Sequence, residues 1–356
     1  MLEFNLLLSL FISFGVSFFS VLILKHLAVK VNLLDTPDDR KIHKGRVPLV
    51  GGISIFLATT TSFLFFPGSE LEITAYLVAA IFIVLIGLID DRFEIKVRYR
   101  LLGQLLASLI VALGSGITIH TLGILGAEGS FELGVVALPF TLFSIMVAIN
   151  AFNFVDGIDG LSGLLFMIAM LAMIILCVLE SGSEIANYIV PLVFFVAVIP
   201  YMMFNLGLLG SHNRVFLGDA GSMLLGLTVA WLIIRYTQGQ VQVFAPVTGL
   251  WIIALPLMDM LAIVLRRLKY GKAPFRPDRS HLHHLFVDRG MSDRRVLIVV
   301  GLIAAAFATI GVISEVYEFS QRIMLFAFVL IFFAYFYLVD HLENQKSAKT
   351  PVSQQK

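Results

Sequence analysis

The stretch AYLVAAIFIVLIGLIDDR, from Ala75 to Arg92, decides the fold of this chain. Its apolar part is long enough to cross a bilayer, because a helix needs about 20 apolar residues to span a ~30 Å hydrocarbon core. The run then ends in the adjacent carboxylates of Asp90 and Asp91. Such a pair at the edge of a membrane-length segment is costly to bury, so it is a candidate functional site.

The composition of the whole chain also predicts a membrane protein. Of its 356 residues, 59% are hydrophobic and 14% are charged, whereas a soluble domain carries about 25% charged residues. The polar side chains are too few to cover so apolar a core, so the bilayer must act as its solvent. The formal net charge of +1 indicates no nucleic-acid partner, and the single cysteine excludes a disulfide framework.

About eleven apolar stretches have the length of a transmembrane helix, which predicts an all-α, polytopic integral membrane protein. The first stretch lacks the basic start and the cleavage site of a signal peptide, so we expect it to be retained. We expect one membrane-embedded domain over residues 1–342 and a polar tail over residues 343–356, in which KSAKTPVSQQK is expected to be disordered. The expected spans are 4–24, 48–66, 73–89, 101–119, 133–150, 161–179, 187–204, 215–234, 243–264, 296–314 and 322–340.

The distribution of lysine and arginine predicts the orientation of the chain. All but two of the 25 basic residues fall in the odd-numbered connections or the tail, and the exceptions are Arg235 and Arg322. Basic connections stay in the cytoplasm, so we expect the N-terminus outside and the C-terminus in the cytoplasm. The unusual acids and histidines then share the cytoplasmic face, whereas an ion-coupled transporter would keep its acids near the bilayer centre.

The segment NAFNFVDGIDG carries Asp156 and Asp159, each followed by a glycine that permits close approach of a phosphate or metal. An Asp-Gly turn with Asp159 capping the next helix is the structural alternative, but it leaves Asn150, Asn153 and Asp156 unexplained. Asp219, in FLGDAGS, is a weak signal by itself, because a simple helix cap also explains it. As a third source of carboxylate it completes a plausible Mg²⁺ site.

The longest basic connection contains HLHH, with His281, His283 and His284. Zinc is not expected there, because no cysteine or further histidine cluster accompanies it. Histidine beside Arg279 suits a pyrophosphate through charge-assisted hydrogen bonds, while most other basic residues of this loop mark topology or contact anionic headgroups. Carboxylates, a hard cation and His/Arg donors together favour phosphoryl-type transfer from a nucleotide-activated donor to a lipid.

The order of these motifs resembles that of the polyprenyl-phosphate N-acetylhexosamine-1-phosphate transferases. The stretch PVTGLWIIALPLMDMLAIVLRRL followed by PFRPDRSHLHHL is most similar to the branch that makes undecaprenyl-diphosphate-GlcNAc, which starts O-antigen and enterobacterial common antigen. The branch that uses UDP-MurNAc-pentapeptide has three consecutive histidines instead. The resemblance runs through RVPLVGGI (Arg46–Ile53), GLIDDRF (Gly87–Phe93), NAFNFVDGIDGL (Asn150–Leu161), VFLGDAGS (Val215–Ser222) and PDRSHLHHLF (Pro277–Phe286).

This resemblance implies transfer of GlcNAc-1-phosphate from UDP-GlcNAc to undecaprenyl phosphate, with release of UMP, at the cytoplasmic face of a bacterial inner membrane. It implies Mg²⁺ or Mn²⁺ held by Asp219 with Asp156, and a general base at Asp90. Membrane lipids and a homodimer are further expected partners. The implied catalytic residues are Asp90, Asp91, Asp156, Asp159 and His281, and the implied substrate-binding residues are Asn153, Gly157, Asn205, Arg100, Arg279, His283 and His284. Many relatives have lysine where this chain has Arg100, which changes the donor geometry.

Three alternatives remain open at the level of sequence. The same chemistry could use another donor such as UDP-GalNAc, since one hydroxyl orientation is not readable from the residues. A secondary transporter predicts inverted repeats and interrupted helices, and neither pattern is evident. A lipid scaffold has no use for acids and histidines on one face. Direct attack and a phosphorylated aspartate are both compatible with the sequence.

Overall fold

The computed structural model describes residues 2–36, 45–64, 70–126, 129–181, 185–240, 242–271, 273 and 281–349. The described part is mostly helical, and its strands form one antiparallel pair of two residues each, which confirms the all-α prediction. The strands are β1 (Leu34–Asp35) and β2 (Val47–Pro48). The helices are α1 (Leu2–Val31), α2 (Gly51–Phe63), α3 (Glu70–Phe93), α4 (Val97–Ser115), α5 (Ala137–Val155), α6 (Leu161–Ser181), α7 (Ile185–Asn205), α8 (Gly218–Gln238), α9 (Pro246–Ile252), α10 (Ala254–Lys269), α11 (Leu282–Val287), α12 (Asp293–Val316) and α13 (Gln321–Lys349).

Among the described residues, nine helices are long and apolar enough to cross a membrane. Two expected spans differ from the prediction. The expected span 48–66 is the 13-residue helix α2, because residues 47–49 pair as extended chain. The expected span 243–264 is two helices, α9 and α10, bent by 81°. Pro256 lies in the first turn of α10 and has no N–H to continue the helix from α9.

The C-terminal expectation also needs a correction. The sequence predicts disorder for KSAKTPVSQQK, residues 346–356, but α13 continues to Lys349 and includes the first four of these residues. Its apolar part spans the bundle, and its last turns carry the chain past the end of α10, where Lys269 Nζ lies 2.9 Å from Asp340 Oδ2. A helix that is already formed extends into polar sequence at little cost, since nucleation is the expensive step.

Helix α8 lies at the centre of the bundle and is buried along almost its whole length. Small residues let its neighbours approach closely, as in other membrane helix pairs. A Cβ atom on Gly87 of α3 would lie 2.9 Å from the Cβ of Ala220, and one on Gly52 of α2 would lie 2.9 Å from the carbonyl carbon of Ala220. The start of α8 is therefore fixed against both α2 and α3.

Buried polar side chains join the helices inside the bundle. Ser17 Oγ of α1 donates to the carbonyl of Ala197 in α7 at 2.7 Å. Asn150 Nδ2 of α5 donates to Gln104 Oε1 of α4 at 2.6 Å. In an apolar surrounding, such bonds satisfy groups that would otherwise be costly to bury. Asn150, which the sequence left unexplained, therefore connects two helices.

The segment RVPLVGGI holds the chain just before Asp219. Pro48 accepts a hydrogen bond from the Phe216 amide at 2.9 Å, and Phe216 in turn accepts one from the Gly51 amide at 3.0 Å. The Gly52 amide donates to the Leu217 carbonyl at 3.0 Å. Residues 48–52 and 216–217 thus form a small backbone-paired unit, which sets the position at which α8 begins.

Candidate active site

The predicted acids meet where α3 and α5 end and α8 begins. Asp91 Oδ1 accepts a hydrogen bond from the Asp219 amide at 2.7 Å, and Asp91 Oδ2 accepts one from the Ala220 amide at 3.2 Å. A carboxylate at a helix N-terminus satisfies unpaired amides and favours the helix dipole. Gly218 has φ +74°, and a Cβ there would lie 2.5 Å from Asp91 Oδ2. Asp91 therefore positions Asp219 from another helix.

The side chain of Asp219 is oriented by α5. Asn153 Nδ2 donates to Asp219 Oδ1 at 2.6 Å and lies 2.9 Å from Ser222 Oγ. Asn153 stands in the last turn of α5, where the helix delivers it beside the first turn of α8. The structure thus gives Asn153 an orienting contact within the protein, and its substrate-binding role stays a prediction.

Asp156 immediately follows α5 and faces the same cluster. Burial, followed by the negative charges of Asp219 and Asp159, raises the pKa of Asp156 to about 8. Within the described part of the chain, no hydrogen-bond donor contacts the Asp156 carboxylate. A hard cation bound here would take the place of the proton and hold Asp156 in its charged form.

The acidic side chains of this cluster suit a magnesium ion, which keeps water ligands, better than a metal ion held entirely by protein side chains. The described ranges contain no group of three or more His, Cys, Asp or Glu side chains arranged around one ion position. Mg²⁺ usually takes one or two protein carboxylates and fills its other positions with water and substrate phosphates. Asp156 and Asp219 supply that number of ligands, so the donor set fits.

Asp90 is the more buried acid of the pair, with 6% of its surface exposed. Its Oδ2 pairs with Arg100 Nη1 at 3.0 Å, and its Oδ1 accepts the Ile95 amide at 3.0 Å. Both oxygens are therefore engaged in holding the turn between α3 and α4. The sequence placed a general base here; that role stays a prediction, and it requires Arg100 to move or to share the carboxylate.

Asp159 and Asn205 hold the segment that connects α7 to α8. Asp159 Oδ2 pairs with Arg214 Nη1 at 3.1 Å, and about a third of each side chain is exposed. Asn205 is 2% exposed, and its Nδ2 donates to the Val215 carbonyl at 2.9 Å. Both contacts tie residues 205–215 to the site, and contact of Asn205 with a nucleotide stays a prediction.

The histidines pack against the turn after α5. His281 precedes α11, and the ring of His283 stacks on it with centroids 5.5 Å apart. His284 lies 4.2 Å from His283, centroid to centroid. A Cβ on Gly157 would come within 2.8 Å of His283 Cε1, so the two motifs are in direct contact. The predicted donor-binding residue Arg279 lies outside the described residues.

The sequence reasoning missed two side chains that contact the predicted site residues. Asp259 lies on α10, is 2% exposed and accepts a hydrogen bond from His281 Nδ1 at 2.8 Å. The signal was present, since a lone carboxylate within an apolar run is costly and marks a functional site. It was read only as part of a membrane span. Arg214, the partner of Asp159, was likewise read only as a topology signal.

Comparison with known proteins assigns the family. The sequence model of Glycosyl transferase family 4 matches residues 73–237. An undecaprenyl-phosphate alpha-N-acetylglucosaminyl 1-phosphate transferase of Salmonella typhi is 39% identical over 320 residues, which cover 90% of this chain and 87% of that protein. The chain belongs to this transferase family.

Two further relatives carry the same name. The protein of Escherichia coli strain K12 is 40% identical, with 88% of this chain and 86% of that protein covered. The protein of Haemophilus influenzae is 39% identical, with 94% of each chain covered. The expected family, its branch and its enzymatic nature are thereby confirmed, and the chain is a multi-pass membrane protein.

Proposed function

We propose that this protein transfers GlcNAc-1-phosphate from UDP-GlcNAc to undecaprenyl phosphate, giving GlcNAc-diphospho-undecaprenol and UMP. The observation that carries the proposal is the contact of Asp91 with the Asp219 amide at 2.7 Å, which builds one acidic site from two distant motifs. Full-length similarity to enzymes named for this transfer supports the same reaction.

The reaction is a displacement at the phosphorus that carries GlcNAc. An oxygen of the lipid phosphate forms the new P–O bond, and the bond from that phosphorus to the UMP phosphate breaks. UMP leaves with the electron pair. The second pKa of a phosphate monoester is about 6, so the attacking phosphate is already largely ionised at neutral pH. Screening of negative charge then matters more than proton removal.

The carboxylate contacts favour direct attack by the lipid phosphate. Both oxygens of Asp90 accept hydrogen bonds, from Ile95 and Arg100. Both oxygens of Asp91 accept amides at the start of α8. A carboxylate nucleophile would have to give up these bonds before it could attack phosphorus. We therefore propose a single displacement without a phosphorylated aspartate.

We further propose that Asp156 and Asp219 hold Mg²⁺. The ion would supply positive charge that neutralises the donor diphosphate. Asn153 keeps one oxygen of Asp219 in place through its 2.6 Å hydrogen bond. Burial, followed by the negative charges of Asp219 and Asp159, raises the pKa of Asp156 to about 8, and a bound cation would counter this by favouring the carboxylate form.

The donor diphosphate would lie between this cluster and the histidine loop. Gly157 and His283 are in contact there, and imidazole groups beside a diphosphate donate charge-assisted hydrogen bonds. The concentration of lysine and arginine on the same side of the bundle supports a cytoplasmic site in the bacterial inner membrane. The product would start a lipid-linked polysaccharide such as O-antigen.

The test uses purified protein in detergent with undecaprenyl phosphate, Mg²⁺ and radiolabelled UDP-GlcNAc, and it follows label into the organic phase. EDTA-sensitive transfer supports the reaction, the acceptor and the metal together. Parallel reactions with UDP-GalNAc test the donor, because transfer from that sugar alone would overturn the donor assignment. Absence of transfer from every nucleotide sugar would overturn the enzyme assignment for this substrate class.

A further inference from the structure

Asp259 is a buried carboxylate that joins three separate elements. Its Oδ2 accepts a hydrogen bond from His281 Nδ1 at 2.8 Å, just before α11. Its Oδ1 accepts the Leu282 amide at 3.0 Å and the Tyr335 hydroxyl of α13 at 2.7 Å. Asp259 itself stands on α10. One side chain therefore fixes the histidine loop to two helices.

The two oxygens of Asp259 have different partners. Oδ1 takes both contacts that anchor the loop and α13, whereas Oδ2 takes the histidine ring. Anchoring alone needs an acceptor and not a charge, and a buried charge is costly unless it is paired. The charge is therefore explained by the histidine contact rather than by the anchoring contacts.

The contact with Asp259 also defines which nitrogen of the His281 ring carries a hydrogen and how the ring is oriented. An ionised carboxylate only accepts hydrogen bonds, so the hydrogen of this pair resides on His281 Nδ1. Neighbouring rings fix the ring plane: Phe154 meets it edge-on with centroids 5.5 Å apart, and His283 stacks on it at 5.5 Å. The other ring nitrogen, Nε2, is left as the atom for contact outside the pair.

We infer that Asp259 is a positioning residue that holds Nδ1–H of His281 in a hydrogen bond to a charged partner, so that the ring can carry a second hydrogen on Nε2 and donate it to the donor diphosphate. The inference rests on the proposed function. Loss of such a partner typically costs about 10–100-fold in activity at metal-bound histidines.

The first variant is D259N. Asparagine keeps an oxygen for the Leu282 amide and the Tyr335 hydroxyl, so the loop anchor is retained. Its NH₂ group then faces His281 Nδ1, which must accept a hydrogen bond, so the ring is held neutral and loses the positive charge that would strengthen its bond to the diphosphate. We expect kcat with UDP-GlcNAc to fall about 10–100-fold, while the thermal unfolding midpoint in detergent stays close to that of the wild type.

A double-variant cycle tests whether Asp259 acts through His281. In an H281A background, D259N should cause no further loss of kcat, because the group it orients is absent. Y335F serves as the matched control, since it removes one donor to Oδ1 and leaves the Oδ2 contact intact. We expect Y335F to lower unfolding stability more clearly than it lowers kcat.

A second pair of variants does not depend on Asp259 itself. In H281N the amide nitrogen can replace Nδ1 and keep the contact with Asp259, whereas in H281Q it reaches the position of Nε2. We expect H281Q to retain more activity than H281N. The inference is overturned if H281N is the more active of the two, if D259N has wild-type kinetics, or if the losses from D259N and H281A multiply. A wild-type protein inactive with every UDP-sugar would instead overturn the proposed function itself.

Discussion

Replacement of Gly157 by alanine should lower activity without straining the backbone. Gly157 is exposed and does not have a positive φ, so alanine fits its backbone conformation. The new Cβ would nevertheless lie 2.8 Å from His283 Cε1 and 3.2 Å from its Cδ2, and closer still to Nε2. Because His283 is only 2% exposed and packs between His281 and His284, its ring has little room to withdraw.

The size of the effect follows from these distances. Ordinary van der Waals contact begins at 3.4 Å, so the imidazole must move by on the order of 1 Å. A displacement of about 1 Å in a catalytic site can cost about 100-fold, which corresponds to about 2.7 kcal/mol in transition-state free energy. Overpacking should lower the free energy of unfolding by about 1–3 kcal/mol.

The assay measures kcat/KM for UDP-GlcNAc and the unfolding midpoint in detergent. G15A is the control, because nothing lies within 4 Å of a Cβ at Gly15, and alanine in a helix interior is favoured by about 0.5–1 kcal/mol. In an H283A background, G157A should lose little more. Wild-type kcat/KM in G157A would refute a role for the contact between Gly157 and His283 in donor binding.

Three further outcomes follow from the site. D219N should abolish EDTA-sensitive transfer while the protein still folds, and normal turnover in that variant would remove the metal assignment. Because burial and the charges of Asp219 and Asp159 raise the pKa of Asp156 to about 8, Mg²⁺ must displace a proton from it at pH 7. Calorimetry in two buffers should therefore show release of about one proton on Mg²⁺ binding at pH 7 and almost none above pH 9. Equal proton release at the two pH values would contradict the role of Asp156 as a ligand. R289A should reduce transfer less than H281A, because Arg289 donates to the carbonyls of Leu285 and Leu342; equal losses would place Arg289 in the site.

The sequence predicted the helical membrane fold, because apolar runs of membrane length have one stable solution in a bilayer. It also predicted that Asp90, Asp156, Asp219 and His281 share one face, since charge asymmetry fixes on which side each connection lies. The family motifs contain nearly all of the candidate residues. These properties are local, so they can be read along the chain without knowledge of the packing.

The sequence was less informative where helices deviate from a regular span. The 81° break between α9 and α10 and the short α2 both arise where backbone groups find partners outside a helix. A hydropathy pattern records only the polarity of side chains, so it merges such segments into full spans. The helical continuation of α13 to Lys349 was missed for a related reason, because polar composition does not record an already nucleated helix.

The tertiary structure alone decided which side chains act on which. Asp91 caps the helix that carries Asp219, 128 residues away, and Asp259 orients His281 from a different helix. Hydrogen bonds depend on distances of about 3 Å and on direction, and neither is encoded in spacing along the chain. The amino-acid pattern therefore determined the fold class and the face on which the acids lie, whereas packing around α8 determined how those acids are paired.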